Sequence, residues 1–439
     1  MKTLNRKIHF FNPGHENAVR AESRYYTPPA SVCRMMEDLA LLPAWYGEPN
    51  DLVITNETTE TSRFLLSLSP ALRPSIFLIN YSSLFTQNLD LYDDGKKDQS
   101  KKSSLSQNFD LHDPAHVVMS VPLSLSVIEA APWGLSPHSI RIFESLQTQF
   151  GNFVIPTWNE TYKILTGRQT ALQCLTKLRS RLPEYAESLT IPRFCSTKDE
   201  IRQFITEYPP PYILKMPYSC SGRGLYRISS RSIDDIPTAR WIEGAIRKQG
   251  VVSIEQALDK VVDFAMEFSS DGNGNIRFEG LAVFSTSSKG TYNGNMLGAQ
   301  EMLEQHLAKF VPTAQLKEIQ ETLTSILAEV LGHEYQGYLG VDMLVYRKDH
   351  GFAIHPCIEI NLRYTMGLVA LKLSNRLIHP ASQGQFIIDY HKTANSTYAE
   401  HLRMQAAFPL QLSDSKILSG YLSLCPVLPN TKYRAYILI

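Results

Sequence analysis

Residues 338–346 (YLGVDMLVY) and 352–362 (FAIHPCIEINL) are long β-type runs parted only by the polar turn RKDHG. So short a connection between two strands predicts an antiparallel hairpin. Side chains at i, i+2 and i+4 of a strand share a face. Glu359, Asn361 and Arg363 therefore point one way, and Ile358, Ile360 and Leu362 the other. Asp342 faces away from Val341 and Met343, and pairing sets it roughly opposite residues 356–359, the register resting on the turn and any bulge. Two carboxylates and an amide oxygen on one sheet face are hard ligands suited to Mg²⁺. Arg363 beside them could hold a phosphate or a developing negative charge. For a lone E-x-N-x-R, a solvated sheet face with a Glu359–Arg363 salt bridge is the simpler reading. Its place after an Asp-bearing strand argues for more.

Upstream, the strand-like run 212–216 delivers Lys215 straight into a small-residue loop, M-P-Y-S-C-S-G-R-G-L. Glycines let backbone N–H groups approach an anion, and the lysine adds a point charge for phosphate oxygens. The lysine precedes the glycines, so this is not a Walker A loop. A plain surface hairpin is the bland alternative. Cys220 lies in the loop with no histidine nearby to make it a nucleophile.

The first 150 residues read as a strand at 7–11, a helix at 30–42 and strands at 51–55 and 75–80, a parallel α/β unit. The first strand ends in Asn12-Pro13-Gly14-His15-Glu16-Asn17. Ligands of open α/β sheets sit beyond strand carboxyl ends, so His15 could touch substrate or move a proton, a helix cap and turn being the plainer reading. Pro132-Trp133-Gly134 is a second turn that could face the same cleft. Residues 93–107 (DDGKKDQSKKSSLSQ) bury too little to repay ordering, which predicts a mobile loop. Helices are expected at 140–150, 166–181, 199–208, 314–331 and 398–407, and strands at 251–255, 278–285, 418–424 and 433–438.

The 439 residues carry 43 Lys+Arg and 43 Asp+Glu, a balance that argues against a broad nucleic-acid surface. No apolar run approaches the roughly 20 residues of a membrane helix. The opening MKTLNRKIHFFNPGHEN has no apolar stretch of signal length. Six scattered cysteines form no C-x-x-C pair, which suits reduced thiols in a cytoplasmic protein.

Taken in order, these residues resemble the ATP-grasp superfamily over about 159–370. The likeness implies α/β and α+β architecture: a Rossmann-like pre-ATP-grasp domain (1–150), a two-subdomain ATP-grasp module (151–375) and a C-terminal extension packing on it (376–439). By resemblance, Lys215 and Arg168 (in LTGRQTAL) would contact the nucleotide phosphates, and Ser219, Ser221, Gly222, Arg223 and Gly224 would form the loop closing over them. Glu255 would be the hinge acid near adenine, with Gln256, Ala257 and Leu258 offering backbone contacts. Asp263 would hold the ribose, with Glu267 as its rival. Asp342, Glu359 and Asn361 would hold the metal, and Arg363 would stabilise a transferring phosphoryl group or acyl phosphate. The spacing of Arg168 and Asp263 is looser than that of the others. Residues 285–298 (STSSKGTYNGNMLG) stand where the family varies; they read as a substrate lid, with Lys289, Tyr292 and Asn295 as candidate contacts, or as an ordinary loop.

The resemblance implies an ADP-forming carboxylate–amine ligase using ATP and Mg²⁺ (Mn²⁺ serving in its place). A small carboxylate would take the γ-phosphate as an acyl phosphate, and an amine would displace it. A small-molecule kinase of the same fold, or a nucleotide binder without turnover, are the alternatives. The partners implied are ATP, a small acid and an amine, with neither nucleic acid nor membrane; a homo-oligomer is compatible with this.

Overall fold

The computed structural model describes residues 6–56, 58–80, 127–147, 153–186, 190–219, 222, 224–229, 233–287 and 290–439. They form three main sheets and a two-stranded ribbon. The expected loop at 93–107 and the end of the expected helix 140–150 lie outside them; within them that helix runs Pro137–Glu144.

The N-terminal sheet joins β1 (Arg6–Phe10), β2 (Leu52–Thr55), β3 (Phe77–Asn80), β4 (Ile128–Pro132) and β5 (Phe153–Val154). All pairs are parallel, in the order β3-β2-β1-β4-β5. The apolar run Leu52–Thr55 is buried throughout, as a strand covered on both faces must be. The winding reverses between β1 and β4, which places a crevice beyond the ends of those two strands.

The second sheet holds β6 (Arg193–Cys195), β7 (Tyr212–Lys215), β8 (Leu225–Ile228) and β9 (Val252–Gln256), antiparallel in the order β6-β9-β7-β8. Alternation splits it. Tyr212, Leu214, Ile228, Val252 and Ile254 join a core with Ile201 and Phe204 of helix Lys198–Glu207 and Ile242 of helix Ile236–Gln249. Thr197 and Glu200 cap the first helix reciprocally, and Asp235 caps the second. The other face carries Ile213, Lys215, Leu225, Arg227 and Glu255.

The large sheet is built from β10 (Lys260–Asp271), β11 (Ile276–Thr286), β12 (Tyr292–Leu297), β13 (Gln336–Lys348), β14 (Gly351–Asn361) and β15 (Gly384–Tyr390). Beyond a ribbon of β16 (Gln411–Ser413) and β17 (Lys416–Ser419), β18 (Tyr421–Ser423) and β19 (Tyr433–Leu438) complete it in the order β14-β13-β10-β11-β12-β15-β19-β18. Residues 376–439 thus do more than pack against the preceding module: they extend its sheet by three strands. The rear face packs Phe264, Met266, Val341 and Ile360 against helices Arg168–Arg181 and Thr313–Leu331. Helix Met366–Leu377 crosses one end of the front face.

Three sequence expectations change. The helix expected at 166–181 divides at Gly167, whose extended backbone (φ −75°, ψ 155°) ends helix Glu160–Thr166 and makes Arg168 the first residue of the next. The expected lid at 285–298 is mostly sheet. β11 runs to Thr286 and β12 begins at Tyr292, because Asn295 and Leu297 alternate into the interior. The whole of β10 goes unforeseen. Among the described residues no helix is long and apolar enough to cross a membrane.

Candidate active site

The open face of the second sheet stands over the front of the large sheet, and a cleft lies between. Its roof is Ile213, Lys215, Leu225, Arg227 and Glu255; its floor is Asp263, Phe284, Asp342, Leu344, His355 and Glu359. Gln256, Ala257 and Leu258 line it where β9 leaves toward β10. Arg168 closes one side.

Arg168 ties roof to floor. Its Nε donates to the Met216 carbonyl at 3.1 Å, and one terminal nitrogen reaches Ser219 Oγ at 3.4 Å and Glu359 Oε1 at 3.0 Å. The Gly-rich loop is closed by Met216 N–H donating to the Gly224 carbonyl at 2.9 Å. Gly224 must lack a side chain: a Cβ there would stand 2.4 Å from that of Ser219. Lys215 Nζ pairs with Glu255 Oε1 at 2.5 Å, both largely buried. Glu255, expected at the adenine, thus spends one oxygen on Lys215. The Ala257 N–H donates to the Pro211 carbonyl at 2.8 Å, so of the hinge backbone that group is already engaged.

On the floor the register left open by the sequence falls at one end of the expected 356–359 range: Asp342 pairs across the sheet with Glu359, and Gly340 with Asn361. A bulge follows, so that Leu344 meets His355 and three residues, 356–358, face the single Met343. That bulge turns Ile358 into the cleft beside Glu359, against simple alternation. Asp263 and Phe284 are cross-strand partners, and Asp263 Oδ2 takes Lys260 Nζ at 2.5 Å and Thr286 Oγ1 at 2.7 Å. Glu267, the rival for that role, is elsewhere. It is 1% exposed, and Thr365 Oγ1 donates to its Oε2 at 2.7 Å. The same hydroxyl caps helix Met366–Leu377 by accepting from Leu368 N–H.

Burial, reinforced by the facing Glu359 charge, raises the Asp342 carboxyl to about 7, against the pull of Arg363 and Asn361. Burial raises Glu267 to about 8. His355 is buried in the cleft wall, pushed down to about 4, and its Nδ1 has no hydrogen-bond partner. Among the described residues no three His, Cys, Asp or Glu side chains cluster as a metal set. The candidate donors are two carboxylates and one amide. Two acids facing each other across a strand pair, one with its proton affinity raised by the other, are what a divalent cation relieves, so Asp342 and Glu359 fit Mg²⁺. Asn361 is turned to its neighbours: Nδ2 donates to Asp342 Oδ2 at 3.1 Å, and Oδ1 accepts from Arg363 at 2.8 Å.

Arg363 leads to the N-terminal sheet. Its Nε donates to Glu16 Oε1 at 2.8 Å, and Tyr364 N–H donates to the Trp133 carbonyl at 3.0 Å. The two turns expected to face the cleft therefore do meet the E-x-N-x-R strand, and His15 is buried among them.

Of the expected phosphate-loop and lid residues, Ser221, Arg223 and Lys289 lie outside the described residues. Tyr292 and Asn295 do not line the cleft. The Tyr292 hydroxyl donates to Asn295 Oδ1 at 2.5 Å, and Asn295 Nδ2 reaches the Val283 carbonyl at 3.4 Å. Gly290, in the turn before β12, does line it and lies close to Gly222 of the Gly-rich loop. Sequence reasoning missed Arg227, Lys260 and His355. For Arg227 the signal was there: it sits an even number of residues beyond the loop, on the same strand face as Leu225.

No family model matches the sequence, and no curated protein matches it. By structure, the chain is similar to biotin carboxylase from Campylobacter jejuni, solved as a β,γ-ATP complex. That match has a TM-score of 0.50 and 12% identity, over 99% of this chain and 87% of the other. It is also similar to N5-carboxyaminoimidazole synthetase from Staphylococcus aureus, solved with ADP, at a TM-score of 0.45 and 11% identity over 100% of this chain and 95% of that one. The chain has the ATP-grasp fold, with a parallel α/β sheet ahead of the two-sheet cleft.

Proposed function

We propose that this protein is an ADP-forming ligase that activates a small carboxylate with ATP and transfers it to an amine. One observation carries the reading: Arg168, Lys215, the 255–258 strand end, Asp263, Asp342 and Glu359, far apart in sequence, line a single cleft. Ile213, Leu225, Phe284 and Leu344 offer apolar surface to a purine ring, and the polar edge of β9 offers it hydrogen bonds. Asp263, with Lys260 and Thr286, suits the ribose hydroxyls. Lys215, Arg168 and Arg227 gather positive charge where a triphosphate would lie. Asp342 and Glu359, with Asn361, would hold Mg²⁺, which when bound neutralises phosphate charge.

The chemistry asks the protein for position and charge rather than a covalent nucleophile. A substrate carboxylate oxygen attacks the γ-phosphorus and ADP leaves. The amine then attacks the acyl carbon and phosphate leaves. Arg363 has five N–H donors, of which three bonds are made, to Glu16, Tyr364 and Asn361. One N–H remains on each terminal nitrogen, a fork for the oxygens of the acid and of its acyl phosphate.

The test is turnover with ATP, Mg²⁺, a panel of carboxylic acids and hydroxylamine in place of the amine. ADP and a hydroxamate are expected, and both should vanish in Glu359→Gln. ADP with a stable phosphorylated product would make the protein a kinase. Nucleotide binding without ADP from any acid would end the reading.

A further inference from the structure

The turns after β1 and β4 lie at the reversal of the N-terminal sheet, where an open parallel sheet presents its crevice. They are stitched together: Asn12 Nδ2 donates to the Gly134 carbonyl at 2.8 Å, and Gly134 N–H to Asn12 Oδ1 at 3.3 Å. The His15 ring lies on Gly134 so closely that a Cβ there would be 2.2 Å from the ring. What these turns present to Arg363 is an unsettled account. Glu16 gives one oxygen to Arg363 Nε, while its other oxygen is buried with no hydrogen-bond partner. His15 Nδ1 is 3.5 Å from Glu16 Oε1 without making a hydrogen bond, and Nε2 has no partner either. The two residues are 2% and 6% exposed. Buried polar atoms are nearly always satisfied, so three orphans at one point mark a place where a polar group belongs.

What the open Glu16 oxygen lacks is a donor. Burial alone would raise the Glu16 carboxyl, but the Arg363 guanidinium, 2.8 Å away, holds it well below the ordinary range, so it is an ionised acceptor. Beside it stand the two open N–H groups of Arg363, which call for an anion. A cation acceptor adjoining an anion fork is complementary to a zwitterion.

We propose that Glu16 forms the subsite for the ammonium group of an α-amino acid whose carboxylate meets the open fork of Arg363. The acid activated in the cleft is then an amino acid, an inference that rests on the ligase reading above. Held against Glu16, its amine stays protonated and cannot attack an acyl phosphate, so the amine that completes the reaction comes from a second molecule.

The experiment is calorimetric titration of the full chain, with Mg²⁺ and a non-hydrolysable ATP analogue, using the proteinogenic amino acids and the matching 2-hydroxy acids. At least one amino acid should bind about tenfold or more tighter than its hydroxy counterpart, the scale of a hydrogen bond to a charged group. Glu16→Gln should erase that gap by weakening the amino acid alone. Equal affinity for both series, an unchanged gap in Glu16→Gln, or no amino acid binding beside a bound nucleotide would each overturn the subsite. Hydroxamates formed only from acids without an amine would overturn it while leaving the ligase reading standing. Failure of the nucleotide itself to bind would overturn both.

Discussion

Glu267 shows how far a single residue can depart from its sequence appearance. In β10 it reads as one more polar position, four residues after Asp263. Folded, it pairs across the sheet with Gly280 on one side and Gly340 on the other. Gly367 closes over it, since a Cβ there would reach within 2.1 Å of its carboxylate. Two residues without side chains, Gly340 and Gly367, make room for one carboxyl under a helix N-terminus. Burial raises that carboxyl from 4.5 to about 8, with the Asp342 charge adding to the rise and the Thr365 hydrogen bond and Arg363 opposing it. The sign follows from proton counts. Between about 4.5 and 8 the folded state holds a proton that the unfolded chain has released, so stability falls as pH rises through that window. Glutamine mimics the protonated form. Glu267→Gln should match the wild type at pH 5 and melt higher at pH 8.5, with an upper bound of about 1.4 kcal/mol per pH unit across the window. Thermal melts at several pH values check this; parallel profiles for the two proteins would refute it.

At the scale of elements, the Gly-rich loop between β7 and β8 is held from below. Met216 and Ser219 receive Arg168, and Tyr218 N–H donates to Gln249 Oε1 at 2.8 Å while Gln249 Nε2 returns to the Tyr218 carbonyl at 2.9 Å. Gly224 is where the loop closes. An added methyl would collide with Ser219, a forced contact of the kind that costs about 1–3 kcal/mol. Gly224→Ala should therefore displace Ser219, loosen Arg168 and weaken ATP binding roughly fivefold or more while the melting temperature stays near wild type. Nucleotide titration settles it, and unchanged affinity would mean that the loop geometry does not matter. The same elements show what the sequence could disclose. Asp342, Glu359 and Lys215 were legible because each is a single charge set in a short apolar β-type run. β10 was not, because Lys260, Asp263 and Glu267 interrupt its apolar run, and its burial comes from neighbours distant in sequence. One local sign was available: Asp271-Gly272-Asn273-Gly274-Asn275 is a hairpin turn with Gly272 and Gly274 at φ 76° and 95°. The lid reading of 285–298 failed for a related reason. Gly, Asn and Ser suit loops, but Asn295 is buried by a bond to the Val283 carbonyl of the neighbouring strand, a pairing that local composition does not reveal.

For the whole molecule, three segments read along the chain become one cooperative body. A single core joins Phe11, Leu41, Trp45 and Trp133 of the N-terminal part to Leu377, Ile378, Phe386, Ile417, Leu422, Leu424, Cys425, Ala435 and Ile437 of the tail. Polar contacts follow the same seam. Trp45 Nε1 donates to the Leu424 carbonyl at 2.6 Å, and Asp38 Oδ2 accepts from Lys432 and Tyr433 N–H at 2.9 and 3.0 Å. A chain ending at residue 375 would lose nine buried tail side chains from that core and leave β12 as a bare sheet edge. At about 1.5–3 kcal/mol for a large apolar side chain, the loss exceeds about 10 kcal/mol, as much as the net stability of an ordinary domain. The truncated chain should therefore lack a cooperative melt although it keeps every residue of the candidate cleft, and it should bind no ATP. The intact protein should unfold in one transition, in which the N-terminal sheet and the tail become protease-sensitive together. Calorimetry with limited proteolysis tests both statements. A truncated chain that melts sharply and binds nucleotide would show that the tail is an addition to a finished module, and the link from tail to N-terminal sheet to Glu16 and Arg363 would lose its structural basis.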